Sequence, residues 1–167
     1  MGFLFKNLFH VSLFCNDIEA SLDFYKKMGC IVVGEIRNKD GGEPWDYYLK
    51  LCEGQYIELQ PVKAPNPHPH PEKGIYYDDQ TVWHFSFETD NMVEMIETLQ
   101  ARGITILKNP DPGAPEVKTM DDVTLCEDGC FACWVKDPDG NPIELMEQTR
   151  HSMQRRADLR LKKEECC

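Results

Sequence analysis

Along the chain, short stretches in which apolar and polar side chains alternate give way to stretches with helical spacing, and this happens twice. The first run, HVSLF from His10, reads as a strand because β-branched and aromatic residues alternate with polar ones. Ile18, Leu22, Phe24, Tyr25 and Met28 then fall on one face of a helix. Strands are expected again over Cys30 to Ile36, Asp46 to Leu51 and Gln55 to Gln60, with Gly41-Gly42 and Glu53-Gly54 making the turns. The second round begins at His84. A helix face of Met92, Met95, Ile96 and Leu99 follows, and then strands over Ile104 to Lys108, Cys130 to Lys136 and Asn141 to Glu147, with Asp139-Gly140 as a hairpin turn. Each round is β-α-β-β-β.

The two rounds are copies of one pattern. HVSLFCNDIEASLDFYKKMGCIV and HFSFETDNMVEMIETLQARGITI both open on His-x-Ser, and each reaches a glycine, Gly29 or Gly103, nineteen residues past its histidine. Asn16-Asp17 and Asp90-Asn91 stand where a helix needs side-chain acceptors for its first N-H groups. The glycines stand where a helix ends on a left-handed residue. One α+β domain over 1-149 is therefore expected, with module one at 5-62 and module two at 81-149. Between them, PVKAPNPHPHPEKGIYYDDQ at about 63-80 reads as an extended linker, since proline excludes regular pairing. Module two carries an extra loop from about Asn109 to Gly129, and residues 150-167 form a basic tail, expected as a solvated helix or a frayed end.

The strands that close the modules carry the same tripeptide, Ile57-Glu58-Leu59 and Ile143-Glu144-Leu145. Alternation buries the two aliphatic residues and turns the glutamate to the opposite face. His10 with Ser12, and His84 with Ser86, follow the same parity. A single strand histidine is more often a packed residue than a ligand, but matched places in both halves call for a shared role. Two imidazoles and two carboxylates suit a divalent ion such as Zn, Ni, Co, Mn or Fe with positions open to water or substrate. His10, Glu58, His84 and Glu144 are the expected metal ligands.

Composition narrows the setting. Of 167 residues, 41% are hydrophobic and 28% charged, as in ordinary globular proteins. No apolar run approaches the roughly 20 residues of a spanning helix, and the MGFLFKNLFHVSLF start lacks a basic leader and cleavage site, so a cytoplasmic protein with no membrane partner is expected. The tail holds six basic and three acidic residues; on a chain of net charge -11, its +3 leaves -14 on the remainder. Such a surface repels phosphate backbones and argues against nucleic acid as a partner. Eight cysteines without a secretory leader read as reduced thiols. Cys126, Cys130 and Cys133 have the C-x3-C-x2-C spacing of a radical-enzyme iron-sulfur motif, but the chain is too short for the barrel that such a cluster needs, and Cys133 fits a buried strand.

Other side chains offer less. His68 and His70 lie in the proline-rich linker, which makes a poor rigid metal site. Trp45, Tyr47, Tyr48, Trp83 and Trp134 divide between pocket walls and packing, and Lys50 and Lys136 read first as surface lysines.

Over about residues 5 to 149 the chain resembles the vicinal oxygen chelate superfamily, the glyoxalase/bleomycin resistance/dioxygenase fold. The resemblance lies in the strand His10, the DIEASLDFYKKMG helix, YIELQ, WHFSFETDN and the closing KDPDGNPIELMEQ. It implies two βαβββ modules in a cupped eight-stranded mixed sheet around the metal, in a homodimer. Ligands in the order His, Glu, His, Glu resemble glyoxalase I, whereas extradiol dioxygenases and fosfomycin-resistance enzymes lack a carboxylate at the position of Glu58. The implied activity is that of a metal-dependent lyase or isomerase. A metal-polarised carbonyl makes the neighbouring C-H acidic, and Glu144, with Glu58 sharing the role, carries the proton through an enediolate. The substrate is then a small α-hydroxy carbonyl or similar compound. Glutathione hemithioacetal is disfavoured: Phe14 stands where bacterial glyoxalase I has an arginine for the glutathione carboxylate, and Val62 stands where it has an asparagine. The alternatives are an Fe(II) extradiol-type dioxygenase and a metal-stabilised small-molecule binding protein.

Overall fold

The computed structural model describes residues 7–62 and 83–165. The linker and its histidines, His68 and His70, lie outside the described residues. Contacts gather the chain into two compact units, one within Gly2–Pro69 together with Asp137–Gly140, the other within His70–Lys136 and Asn141–Cys167.

The first unit contains β1 (His10–Cys15), α1 (Ile18–Lys27), β2 (Ile31–Asn38), β3 (Gly41–Cys52) and β4 (Gln55–Pro61). Its strands form one mixed sheet in the order β1-β4-β3-β2, with β1 parallel to β4 and the other pairs antiparallel. Helix α1 starts where the sequence asks it to: Asp17 is the N-cap and its carboxylate accepts from Ala20 N at 3.0 Å. Beyond the C-cap Met28, Gly29 takes φ 100°. The core between helix and sheet holds Leu22, Tyr25, Leu49, Ile57 and Leu59, all buried. The Gly41-Gly42 turn moves by two residues. Asn38 pairs with Gly41, so Lys39 and Asp40 make the turn, and both glycines open β3 with positive φ.

Residues 137–140 complete this unit. Asp139 Oδ1 accepts from the backbone N and the Nδ2 of Asn16 at 3.0 and 2.9 Å, and Ser21 Oγ donates to its Oδ2 at 3.4 Å. Two carboxylates thus sit at the start of α1, where the helix dipole favours negative charge. Tyr25 contributes the other bond, Oη to Asp137 Oδ2 at 3.0 Å.

The second unit repeats the plan with β5 (Phe85–Glu88), α2 (Met92–Ala101), β6 (Thr124–Leu125), β7 (Cys130–Lys136) and β8 (Pro142–Gln148), followed by α3 (Met153–Glu165). The sheet order is β5-β8-β7-β6, again with one parallel pair, β5 and β8. Among the described residues the strands number eight, as expected, in two four-stranded mixed sheets. Asn91 caps α2 by accepting from Glu94 N, and Gly103 follows its end at φ 78°.

One expected strand is absent as such. Ile104 to Lys108 makes isolated bridges only: Leu107 exchanges backbone bonds of 2.7 and 2.8 Å with Trp134, and it also faces Glu116. Ile104 and Ile106 are buried as a strand would bury them, but Pro110, Pro112 and Pro115 follow and lack the N-H that a ladder needs. The fourth place in the sheet goes to the two-residue β6.

The tail is a solvated helix with a fixed root. Ser152 is fully buried; its Oγ accepts from Thr149 N at 2.7 Å and donates to Gly129 O at 3.0 Å. Asp128 O accepts from Met153 N at 2.7 Å. Of the described residues, no helix is long and apolar enough to cross a membrane.

Candidate metal centre

Each unit brings its predicted histidine and glutamate together. In the first, β1 and β4 run in parallel with Ser12 beside Glu58, which puts His10 and Glu58 on the same face of the sheet. His10 Nε2 lies 3.6 Å from Glu58 Oε2. In the second, Ser86 is beside Glu144 and His84 Nε2 lies 3.5 Å from Glu144 Oε2. His84 stands one residue before β5 rather than within it. The flanking aliphatic residues, Ile57 with Leu59 and Ile143 with Leu145, are buried on the opposite faces, as strand parity requires.

These separations exceed a good hydrogen bond. Two ligand atoms on a tetrahedral ion, each bound at about 2.1 Å, stand about 3.4 Å apart, so each pair has the spacing of ligands to a common ion. The Nδ1 atoms of His10 and His84 are buried and have no hydrogen-bond partner among the described residues, which leaves Nε2 as the nitrogen that each ring offers. The donors of each pair are of the kind a divalent ion takes. Among the described residues no group of three or more His, Cys, Asp or Glu side chains is placed to hold a metal ion; each unit has a His–Glu pair.

The two glutamates differ in their surroundings. Glu58 is only 9% exposed. Tyr48, directly opposite it across β3 and β4, donates its hydroxyl to Glu58 Oε1 at 2.9 Å. Burial pushes the Glu58 carboxyl up, but hydrogen bonds with Ser12, Asp46 and Tyr48 and the nearby His10 outweigh it and hold it below its ordinary value. Glu144 has less support. Burial raises its pKa and Asp128 adds to the rise, with only His84 pulling the other way.

Asp46 is a residue that sequence reasoning missed. It is fully buried, its Oδ1 has no hydrogen-bond partner among the described residues, and burial together with the adjoining Glu58 pushes its carboxyl up to about 6. Two carboxyl groups in contact cannot both ionise cheaply. The available signal was parity: Asp46 and Tyr48 alternate on β3, facing the same side as Glu58.

Aromatic rings brace both histidines. His10 meets the edge of Tyr48 at 5.8 Å, and His84 meets Trp83 at 4.6 Å and Trp134 at 5.0 Å. Of the other aromatic candidates, Tyr47 is packed in the core and Trp45 is exposed. Phe14 shares the face of His10 and is 70% exposed, so no cation stands at that position. Val62 closes the end of β4 by donating its N-H to Cys15 O. Lys50 is paired with Glu53 at 2.9 Å.

The cysteine motif does not form a cluster. Cys130 and Cys133 have opposite parity on β7; Cys130 Sγ meets Gln154, whereas Cys133 Sγ meets Met92 of α2. A polar groove of roughly 370 Å³ in the second unit is lined by Glu88, Glu147, Arg155 and Asp158 among others, and none of the four predicted ligands lines it.

Paired βαβββ modules with equivalent His–Glu pairs define the class of fold, and comparison identifies it. The family model of the Glyoxalase/Bleomycin resistance protein/Dioxygenase superfamily matches residues 7–145, and the chain belongs to that superfamily. Among curated proteins it is 28% identical over 147 residues to the uncharacterized protein YwkD of Bacillus subtilis (strain 168), covering 87% of this chain and 99% of YwkD. Among solved structures it resembles a glyoxalase family protein from Enterococcus faecalis, with TM-score 0.62 and 24% identity, covering 87% of this chain and all of the other. It also resembles the lactoylglutathione lyase from Agrobacterium tumefaciens, with TM-score 0.54 and 17% identity over 86% of this chain and 95% of that one. At these identities the structural matches speak for the fold.

Proposed function

We propose that His10, Glu58, His84 and Glu144 are the ligands of one divalent metal ion, and that the protein is a lyase or isomerase of the glyoxalase I type acting on a small α-hydroxy carbonyl or related compound. The observation that carries this reading is the repetition of one geometry: Nε2 to Oε2 separations of 3.6 and 3.5 Å at equivalent places in two modules. When bound, the ion supplies Lewis acidity, which lowers the pKa of a C-H beside a coordinated carbonyl.

The chain's own residues divide the remaining work. His10 and His84 offer Nε2, with Nδ1 enclosed. Glu58, held by Tyr48 and Ser12, keeps its charge and its place. Glu144, with fewer bonds and a raised pKa, is suited to take a proton on its carboxylate from one carbon and return it to the next. The exposed Phe14 favours substrates without an anionic group at that point. Two chains pairing as a homodimer, in the cytoplasm, fit the same reading.

Elemental analysis of protein prepared without chelator, followed by incubation of candidate α-hydroxy carbonyls in deuterated buffer, tests this. Expected are one divalent ion per site, its loss in His10→Ala and His84→Ala, and deuterium appearing at an α-carbon. Glu144→Gln should slow that exchange roughly 10²- to 10⁴-fold. Oxygen uptake with catechols would move the protein to the dioxygenases, and tight retention of a ligand without exchange would make it a binding protein.

A further inference from the structure

We infer that Tyr48 is a positioning residue that holds one carboxylate oxygen of Glu58 so that the other faces His10 in the metal centre; the inference rests on the four-ligand reading above. The two oxygens of Glu58 have separate partners. Oε1 receives the Tyr48 hydroxyl at 2.9 Å, and Oε2 faces His10 Nε2 at 3.6 Å. The phenol therefore claims one oxygen and aims the other at the place where the histidine nitrogen also points.

The backbone builds this arrangement. Tyr48 and Glu58 are opposed on adjacent antiparallel strands, the spacing at which cross-strand side chains meet. Ser12 opposes Glu58 on its other flank, on β1, and helps hold that carboxyl below its ordinary value. The Tyr48 ring also stands edge-on to His10, so a single side chain braces both ligands of its module.

The repeat provides an internal comparison. Trp134 occupies the position of Tyr48, opposite Glu144, and braces His84 in the same edge-on manner at 5.0 Å. An indole has no hydroxyl to give. Ser86, the counterpart of Ser12, donates to the Glu144 backbone oxygen at 3.2 Å and not to its carboxylate. The second module has kept the ring and dropped the phenolic hydroxyl, so that restraint is confined to one of the two glutamates. Ligands held by outer hydrogen bonds bind metal more tightly than unheld ones.

Full-length apo-protein titrated with Co²⁺ and followed by visible absorption, with Zn²⁺ competition for affinity, tests the assignment. Tyr48→Phe keeps the ring and removes the hydroxyl. Binding should weaken about 10- to 100-fold, with the thermal midpoint of the apo-protein little changed. In a double-mutant cycle the Tyr48→Phe effect should vanish once Glu58→Ala is present, because the hydroxyl acts through that carboxylate. Affinity within twofold of wild type, or an undiminished effect in the Glu58→Ala background, overturns the inference and leaves the metal reading intact. Wild-type protein that binds no stoichiometric metal removes both. If Tyr48→Phe does not fold, Tyr48→Trp, which installs the ring that stands opposite Glu144, makes the same comparison.

Discussion

The hydroxyl of Tyr25, in the last turn of α1, donates at 3.0 Å to the carboxylate of Asp137, which directly follows β7. Both residues are buried, Tyr25 completely. Burial and the adjacent Asp137 together push the phenol well above its ordinary pKa, so the bond holds a neutral donor against an acceptor at all physiological pH. Tyr25→Phe removes the donor and leaves the buried carboxylate short of one partner. The expected cost is about 1–3 kcal/mol in urea unfolding, with near-normal secondary structure by circular dichroism. A loss below a few tenths of a kcal/mol would show that Asp137 finds another donor.

Gly129 has φ +84°, and a Cβ there would lie 2.8 Å from the His151 carbonyl oxygen. Both the backbone and the neighbouring chain resist a side chain. Gly129→Ala should cost on the order of 1–3 kcal/mol from the left-handed conformation alone, and more from the clash, which backbone cannot relieve by rotating. Thermal melting reads the loss, and proteolysis should reach α3 first, because Gly129 O also receives the Ser152 and Thr149 hydroxyls.

Asp128 gives stability a defined pH dependence. Bonds from Cys130 N at 2.9 Å and Gln154 Nε2 at 2.7 Å hold its carboxyl below its ordinary value. A carboxyl that is more acidic folded than unfolded stabilises the fold above its unfolded pKa of about 3.9, and that contribution drains away as pH falls through the lower folded value. Asp128→Asn should therefore be less stable than wild type near pH 6, and the difference should shrink as both are titrated below pH 4. A gap of constant size over that window would mean that charge is not what holds the turn.

Thiol reactivity should follow burial. Cys133 is pushed up to about 12 by burial with Glu144 adding, and Cys15 and Cys30 to about 11 with burial leading in each. Cys52 is exposed. Iodoacetamide at pH 8, read by peptide mapping, should modify Cys52 within minutes and spare Cys15, Cys30 and Cys133 until the protein unfolds. Rapid labelling of Cys133 in native protein would contradict the packing of its thiol against Met92.

Much of this architecture can be read from the chain because local signals and tertiary needs agree. Asp17 and Asn91 cap their helices, Gly29 and Gly103 follow the helix ends with positive φ, and the Ile-Glu-Leu tripeptides bury their aliphatic residues. What the sequence hid depends on distant partners. Ile104 to Lys108 has a strand's pattern, yet its ladder is cut short by the prolines that follow. Asp46 reads as an ordinary strand acid between Trp45 and Tyr47, and only the register with β4 reveals that it adjoins Glu58. The hairpin turn at Asp139-Gly140 was visible, but its docking on α1 was not, since nothing local to DPDG names Asn16 or Ser21.

That docking ties the two repeats into one folding commitment. Expressed alone, the first repeat would leave Asn16, Ser21 and Tyr25 without the acceptors that residues 137–140 provide, and α1 would keep only its own cap, Asp17. Translation must pass residue 140 before α1 is secured. Fragments cut at the linker should thus survive only when supplied with their complement, even though the duplication is plain in the primary structure.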